Sequence, residues 1–273
     1  MSDSLGLKFL YRTPAGRMIL KELTKPSLSK KAGRLLSSKA SSLIVPLYVK
    51  ANGIDMSPYV IPEGGYKSFN DFFVRKLKVD ALPDEDAVFS SPCDGLLTVK
   101  QLRNKTSFFV KGQEYRLSRL LGNDALAREF VGGTAFIFRL TPKHYHRYKY
   151  AASGTVLSKK HIYGRLHTVR PIAIESMPVF IENTREYITI DTEKIGKVLQ
   201  MEVGALMVGK IKNRPVFKGE RVSDKTEKGH FMFGGSTIIV LTSKRLDLCT
   251  DIMDSKKNEY GEIGVTAGQT LVK

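Results

Sequence analysis

The sequence predicts an α+β fold: a mainly antiparallel β core, sheet- or barrel-like, preceded by an N-terminal helical segment. Two observations carry this expectation. Residues 5 to 50 place apolar side chains at helix-like intervals amid Lys and Arg: Leu5, Phe9 and Leu10, then Met18, Ile19, Leu20 and Leu23, then Leu35 and Leu36. From Val88 onward the texture changes to short runs rich in Val, Ile, Phe and Thr, punctuated by Gly, Pro, Asn or Asp. The expected organisation is a helical segment over 1–66 and a single β-rich domain over 67–273.

In chain order, Pro14 and Pro26 are expected to cut the first stretch into short helices, because proline breaks a helix interior but suits its first turn. LSKKAGRLLSSKASS is the only hint of low complexity, and no internal repeat is present. The expected strands are LLTVK, FFVKG, TAFIFRL, PVFIE, EYITI, VLQMEV, ALMVGKI and STIIVL. Residues 115–129, YRLSRLLGNDALARE, read as a helical insertion between them.

With 273 residues, 42% of them hydrophobic, the chain can bury a substantial core. Lys and Arg number 44 against 27 Asp and Glu, a net charge of +17 that favours nucleic acid, an anionic membrane or an acidic substrate. Two cysteines, Cys93 and Cys249, make neither a disulfide framework nor a metal-ligand spacing, and both read as ordinary thiols. The first twenty residues lack the order of a secretory signal. No stretch approaches the roughly 18 uncharged apolar residues of a spanning helix, so the chain is expected neither to span a membrane nor to be exported.

Four constellations could carry chemistry. Ser90-Ser91-Pro92-Cys93-Asp94-Gly95 is a turn that sets Asp94 at the head of a strand. TPKHYHRYKY, residues 141–150, would bring His144 and His146 to one face if the preceding strand continued through it. Gly164-Arg165-Leu166-His167 holds a third histidine. HFMFGGSTIIVL puts Gly234, Gly235 and Ser236 at the mouth of an apolar run. Taken singly, each is an ordinary turn, edge or structural histidine.

Their order changes that reading. FNDFFVRKL, SPCDG, VKGQEY, LTPKHYHRY, LHTVRPIA, NTREY, VGALMVGKI and EKGHFMFGGST follow one another at plausible spacing. In this the chain resembles the phosphatidylserine decarboxylases, from about Phe69 to the end. The resemblance implies a self-processing proenzyme cut between Gly235 and Ser236, giving a β chain of 1–235 and an α chain of 236–273. Its cofactor would be a pyruvoyl group made from Ser236, which forms a Schiff base with the substrate amine. Such a carbonyl is the electron sink that decarboxylation of an amino acid needs and that no standard side chain supplies.

The residue types suit this chemistry: glycines without Cβ let the serine hydroxyl approach the preceding carbonyl, and a serine needs a base. The resemblance assigns the base to a histidine oriented by an aspartate, and Asp94 matches that aspartate. Many relatives read Tyr-His-Arg-x-His, whereas here Tyr145-His146-Arg147-Tyr148-Lys149 puts Lys149 at the second position. The alternatives are His146 with Asp94, an imidazole from His144 or His167, Lys149 with a pKa lowered by burial, or a chain in which processing is slow or absent. His146 is favoured, both as that base and as the donor returning a proton to Cα. The longer stretch Lys218–Gly229 reads as an enlarged surface loop.

A phospholipid substrate turns the basic amphipathic segment into an expected membrane-docking element, each surface Lys or Arg adding about 1 kcal/mol near anionic lipid. The resemblance further implies a homodimer of processed protomers. A peripheral protein at the cytoplasmic face of a bacterial membrane is the expected location. No metal and no nucleic-acid partner are expected. The competing readings are a relative acting on another serine lipid or amino-acid derivative, a zinc hydrolase using His144 and His146 with Asp94, and a basic nucleic-acid-binding β protein.

Overall fold

A computed structural model describes residues 5–102, 106–206, 211–234 and 236–273. Its centre is an eight-stranded, wholly antiparallel sheet. In spatial order the strands are Arg221–Val222, Gly154–Ile162, Arg185–Thr192, Gly196–Val203, Ser236–Thr242, Thr134–Leu140, Gly95–Gln101 and Ile263–Val265. The two edge strands are different elements, so the sheet is open and the barrel form of the expectation is set aside. A second, three-stranded antiparallel sheet orders Ile211–Asn213, Glu227–Phe231 and Arg147–Lys149.

The central strand Ser236–Thr242 is buried along its whole length. Because side chains alternate, Ile239 and Leu241 enter one apolar core while Ile238 and Val240 enter another on the opposite face. Its neighbour Thr134–Leu140 divides likewise, with Ala135 and Ile137 on one side and Phe136, Phe138 and Leu140 on the other. A sheet buried on both faces has no solvated side to mark with polar residues, which is why TAFIFRL and STIIVL read as near-continuous apolar runs. Each fully buried Ile, Leu or Val contributes roughly 1.5–3 kcal/mol, so the strand after Ser236 is firmly held.

The N-terminal segment folds as expected into short helices: α1 (Leu5–Arg12), α2 (Pro14–Leu23), α3 (Pro26–Leu36) and, after a 3₁₀ turn at Lys39–Ile44, α4 (Val45–Asn52). Pro14 and Pro26 occupy first-turn positions, where a missing N–H costs nothing, and the Thr13 side chain caps α2 by accepting from Gly16 N. A five-residue helix, α5 (Phe69–Phe73), follows, with the Ser68 hydroxyl accepting from Asp71 N at its start. No helix among the described residues is long and apolar enough to cross a membrane.

One expectation is corrected and two are refined. PVFIE is not a strand but a helical turn, Val179–Glu182. Val179 and Phe180 both face the core there, and the Arg185 guanidinium closes the end by donating to the Ile181 and Asn183 carbonyls. The insertion at 115–129 is two short helices, Leu117–Leu121 and Asp124–Arg128. Gly122, at φ 58°, ends the first, and the Asn123 side chain caps the second. Tyr115 belongs to the strand before them. Within the enlarged surface loop, Arg221 and Val222 pair as an edge strand of the large sheet. ALMVGKI runs through residues 207–210, which lie outside the described residues.

Candidate active site

Ser236 is the first residue of the central strand and pairs across to Leu140 on its neighbour. Its hydroxyl is buried and has no hydrogen-bond partner among the described residues, and the same holds for Thr237 Oγ1. A buried hydroxyl left unpaired costs about 1–3 kcal/mol. Two residues earlier Gly234 has φ 143°, a backbone conformation that side-chain-bearing residues rarely adopt. Gly235, the expected acyl side of the cut, lies outside the described residues.

His146 is fully buried on the segment between the Thr134–Leu140 strand and the Arg147–Lys149 strand. Its Nδ1 lies 2.8 Å from the His144 carbonyl. A carbonyl only accepts, so Nδ1 carries the proton and Nε2 presents its lone pair. Nε2 is buried and unpartnered. Burial holds the imidazole well below its usual pKa, with His144 and the Arg75 cation adding to the effect, while the Gly234 backbone favours the protonated ring. The ring is therefore a neutral base lying near the chain that enters Ser236. The main chain adds a second link, since Phe231 N donates to the His146 carbonyl at 3.0 Å.

Among the described residues no hydrogen bond joins Asp94 to this ring. One carboxylate oxygen accepts from Tyr145 N at 3.2 Å and the other from Ala267 N at 2.9 Å, so Asp94 fixes the main chain one residue before His146 while the His144 carbonyl sets the tautomer. Burial raises the Asp94 pKa, the two amides and the nearby Arg75 charge opposing the shift. The shared face expected for His144 and His146 fails as well. Strand geometry ends at Leu140, and the His144 ring turns back so that its Nδ1 accepts from Thr141 N at 3.0 Å.

The remaining candidates lie elsewhere. Lys149 donates to the Lys225 carbonyl at 3.1 Å and borders a cavity of about 580 Å³ whose lining includes neither His146 nor Ser236. Burial lowers its pKa, yet it makes no hydrogen bond to the serine hydroxyl, which is unpartnered. His167 docks the N-terminal segment: its Nδ1 meets the Tyr11 hydroxyl of α1 at 3.5 Å, and Asn183 brackets its main chain. Cys93 is buried, with its thiol pushed up, and neither cysteine is bonded to the other. Among the described residues no three His, Cys, Asp or Glu side chains are grouped as metal ligands, so the zinc alternative finds no donor set.

Two residues of the FNDFFVRKL stretch lie against His146 and the loop that carries it. Phe73 lies with its ring centroid 4.0 Å from that of His146. Arg75, 2% exposed, lies over Tyr59 at 4.2 Å and donates from Nη2 to the Lys143 and His144 carbonyls at 3.2 and 3.4 Å. It thus braces the carbonyl that orients His146. The available signal was an arginine in an aromatic run, which without the fold gives no partner.

The arrangement sets a buried, unpartnered serine hydroxyl at a strand head and a buried, neutral imidazole held by its own main chain. Comparison with known proteins is more specific. The family described as phosphatidylserine decarboxylase matches residues 69–273. The chain is similar to phosphatidylserine decarboxylase proenzyme 2 of Clostridium acetobutylicum, 40% identical over 95% of this chain and 87% of that protein. It is also similar to the phosphatidylserine decarboxylase proenzyme of Fusobacterium nucleatum, at 37% over 93% and 86%. Proenzyme 3 of Schizosaccharomyces pombe is 37% identical over 87% of this chain, which spans only 25% of that longer protein. The chain belongs to the phosphatidylserine decarboxylase family.

Proposed function

We propose that the chain is a proenzyme that cleaves itself between Gly235 and Ser236 and, once mature, decarboxylates phosphatidylserine to phosphatidylethanolamine. One observation carries the reading beyond family membership: Ser236 Oγ and His146 Nε2 are both buried and unpartnered, a nucleophile and a neutral base awaiting a reaction.

In self-cleavage His146 Nε2 takes the hydroxyl proton as Ser236 Oγ attacks the Gly235 carbonyl carbon. The peptide C–N bond then breaks and an ester forms. Loss of the Cα proton expels the Gly235 carboxylate and leaves a dehydroalanine, which water converts to a pyruvoyl group with release of ammonia. The unpaired hydroxyl and the φ of Gly234 fit the making of that group here. It supplies an electron sink for the substrate carbanion. Around it, His146 holds or returns a proton at Nε2, Phe73 and the apolar walls exclude water, and Asp94 and Arg75 keep the 143–146 segment in place. The burial of the strand 236–242 lets the new terminus stay seated after the cut.

Membrane association follows from a lipid substrate. The N-terminal helices leave Leu5, Met18, Leu35, Leu43 and Leu47 largely exposed among lysines and arginines, which supports peripheral docking on anionic lipid. A homodimer and the cytoplasmic face of a bacterial membrane complete the reading. Phosphatidylserine vesicles incubated with the purified protein test it. Phosphatidylethanolamine should appear, and phenylhydrazine, a carbonyl reagent, should abolish its formation. Turnover unaffected by phenylhydrazine would contradict the carbonyl cofactor.

A further inference from the structure

Gly234, between the Glu227–Phe231 strand and Ser236, has no Cβ to restrict its backbone. Intramolecular attack nevertheless requires the segment to be held closely, since a misplacement of about 1 Å can cost ~10²-fold in rate. The restraint comes from the N-terminal part of the molecule. Phe233 N donates to Asn70 Oδ1 at 3.3 Å. Asn70 is 3% exposed, and its Nδ2 donates to Ser37 Oγ at 2.9 Å and the Gly33 carbonyl at 3.2 Å. One buried amide therefore ties α3 to the residue three before the serine.

The ring of Phe233 is held as well. Its centroid lies 4.8 Å from Phe69, 5.1 Å from Phe73 and 6.1 Å from Tyr48, every pair edge-to-face. Phe73 also packs on His146, so a single side chain touches both the base and the segment it acts on. Tyr48 completes the box from α4, with its hydroxyl 3.4 Å from the Pro142 carbonyl on the loop that leads to His146.

We propose that Asn70, Phe233 and the box of Tyr48, Phe69 and Phe73 are positioning residues for self-cleavage, through which the N-terminal segment aligns the chain entering Ser236 with His146. The proposal rests on the self-cleaving reading above. It gives residues 33–73 a second task beyond any lipid contact: they complete the processing site.

Full-length proenzymes followed by intact mass over time test this, with thermal unfolding as the control. Phe233→Ala is expected to slow cleavage by ~10²-fold, Phe233→Leu, which refills the box, by less than ~10-fold, and Asn70→Ala by ~10-fold or more. Rescue by leucine separates alignment from general packing. Should Asn70→Ala fail to fold, the half-buried Phe233 pair decides the matter. Wild type that cleaves alongside a Phe233→Ala variant of equal rate overturns this inference and leaves self-cleavage standing. Wild type that never cleaves overturns the self-cleaving reading and this inference with it.

Discussion

His146 points its Nδ1 at the carbonyl of His144, two residues earlier and 2.8 Å away, and so takes its tautomer from its own chain rather than from a carboxylate. That contact leaves Nε2 free as a base, and burial keeps it unprotonated. His146→Ala is expected to slow self-cleavage by ~10²–10⁴-fold, the range for loss of a positioned general base. Intact mass against time measures it, and cleavage at the wild-type rate would refute the assignment.

The same depressed pKa fixes the pH dependence of processing. A base that stays neutral far below pH 6.5 should give a cleavage rate flat across the neutral range, falling only in acid. Rates measured from pH 4 to 8 on proenzyme held inactive until refolding check this. A midpoint at or above 6.5 would point to an imidazole in water.

Much of this was legible in the sequence, and the exceptions have physical causes. STIIVL and TAFIFRL stand out because both faces of their strands are buried. Ser236 and His146 stand out through motifs whose spacing survives in one dimension. For Asp94 the motif pointed to a histidine partner, whereas its carboxylate accepts from the Tyr145 and Ala267 amides and a local carbonyl meets His146 Nδ1, a pairing no spacing announces. PVFIE misled because a short helical turn and a strand share the same apolar residues. Asn70 and Phe233 are 163 positions apart, and nothing in either neighbourhood announces their contact.

Acid stability follows from three other histidines. Burial depresses His144, His167 and His230 to about 4 in the folded chain, against 6.5 in the unfolded one. The unfolded state binds protons first, so their contribution is intact above pH 6.5 and is lost as pH falls toward 4. The unfolding midpoint should drop steadily across that window, and His167→Asn should flatten the slope. An unchanged slope would contradict the burial account.

Lys228 and Glu202 form an ion pair that is almost completely buried, supported by Asn213. Lys228→Met should destabilise the fold by about 3–5 kcal/mol by stranding the carboxylate, whereas Lys228→Met with Glu202→Leu should recover most of the loss. Urea unfolding of the single and double variants tests this, and equal losses in both would contradict it.

The exposed leucines of the N-terminal segment give a binding prediction. Leu43→Glu with Leu47→Glu replaces apolar side chains that are 81% and 70% exposed, so folding should be little affected. Sedimentation with phosphatidylserine vesicles should fall at least ~10-fold, since acidic groups neither enter the lipid boundary nor attract its charge. Undiminished binding would place the docking surface elsewhere.

The most direct test of the central claim is the intact mass of the purified wild type beside Ser236→Ala. Wild type should yield two fragments, 1–235 and 236–273, the smaller with a blocked pyruvoyl terminus, while the variant remains one chain of 30.5 kDa. A single uncut chain from the wild type, under conditions where it is folded, would contradict Ser236 as the self-processing nucleophile.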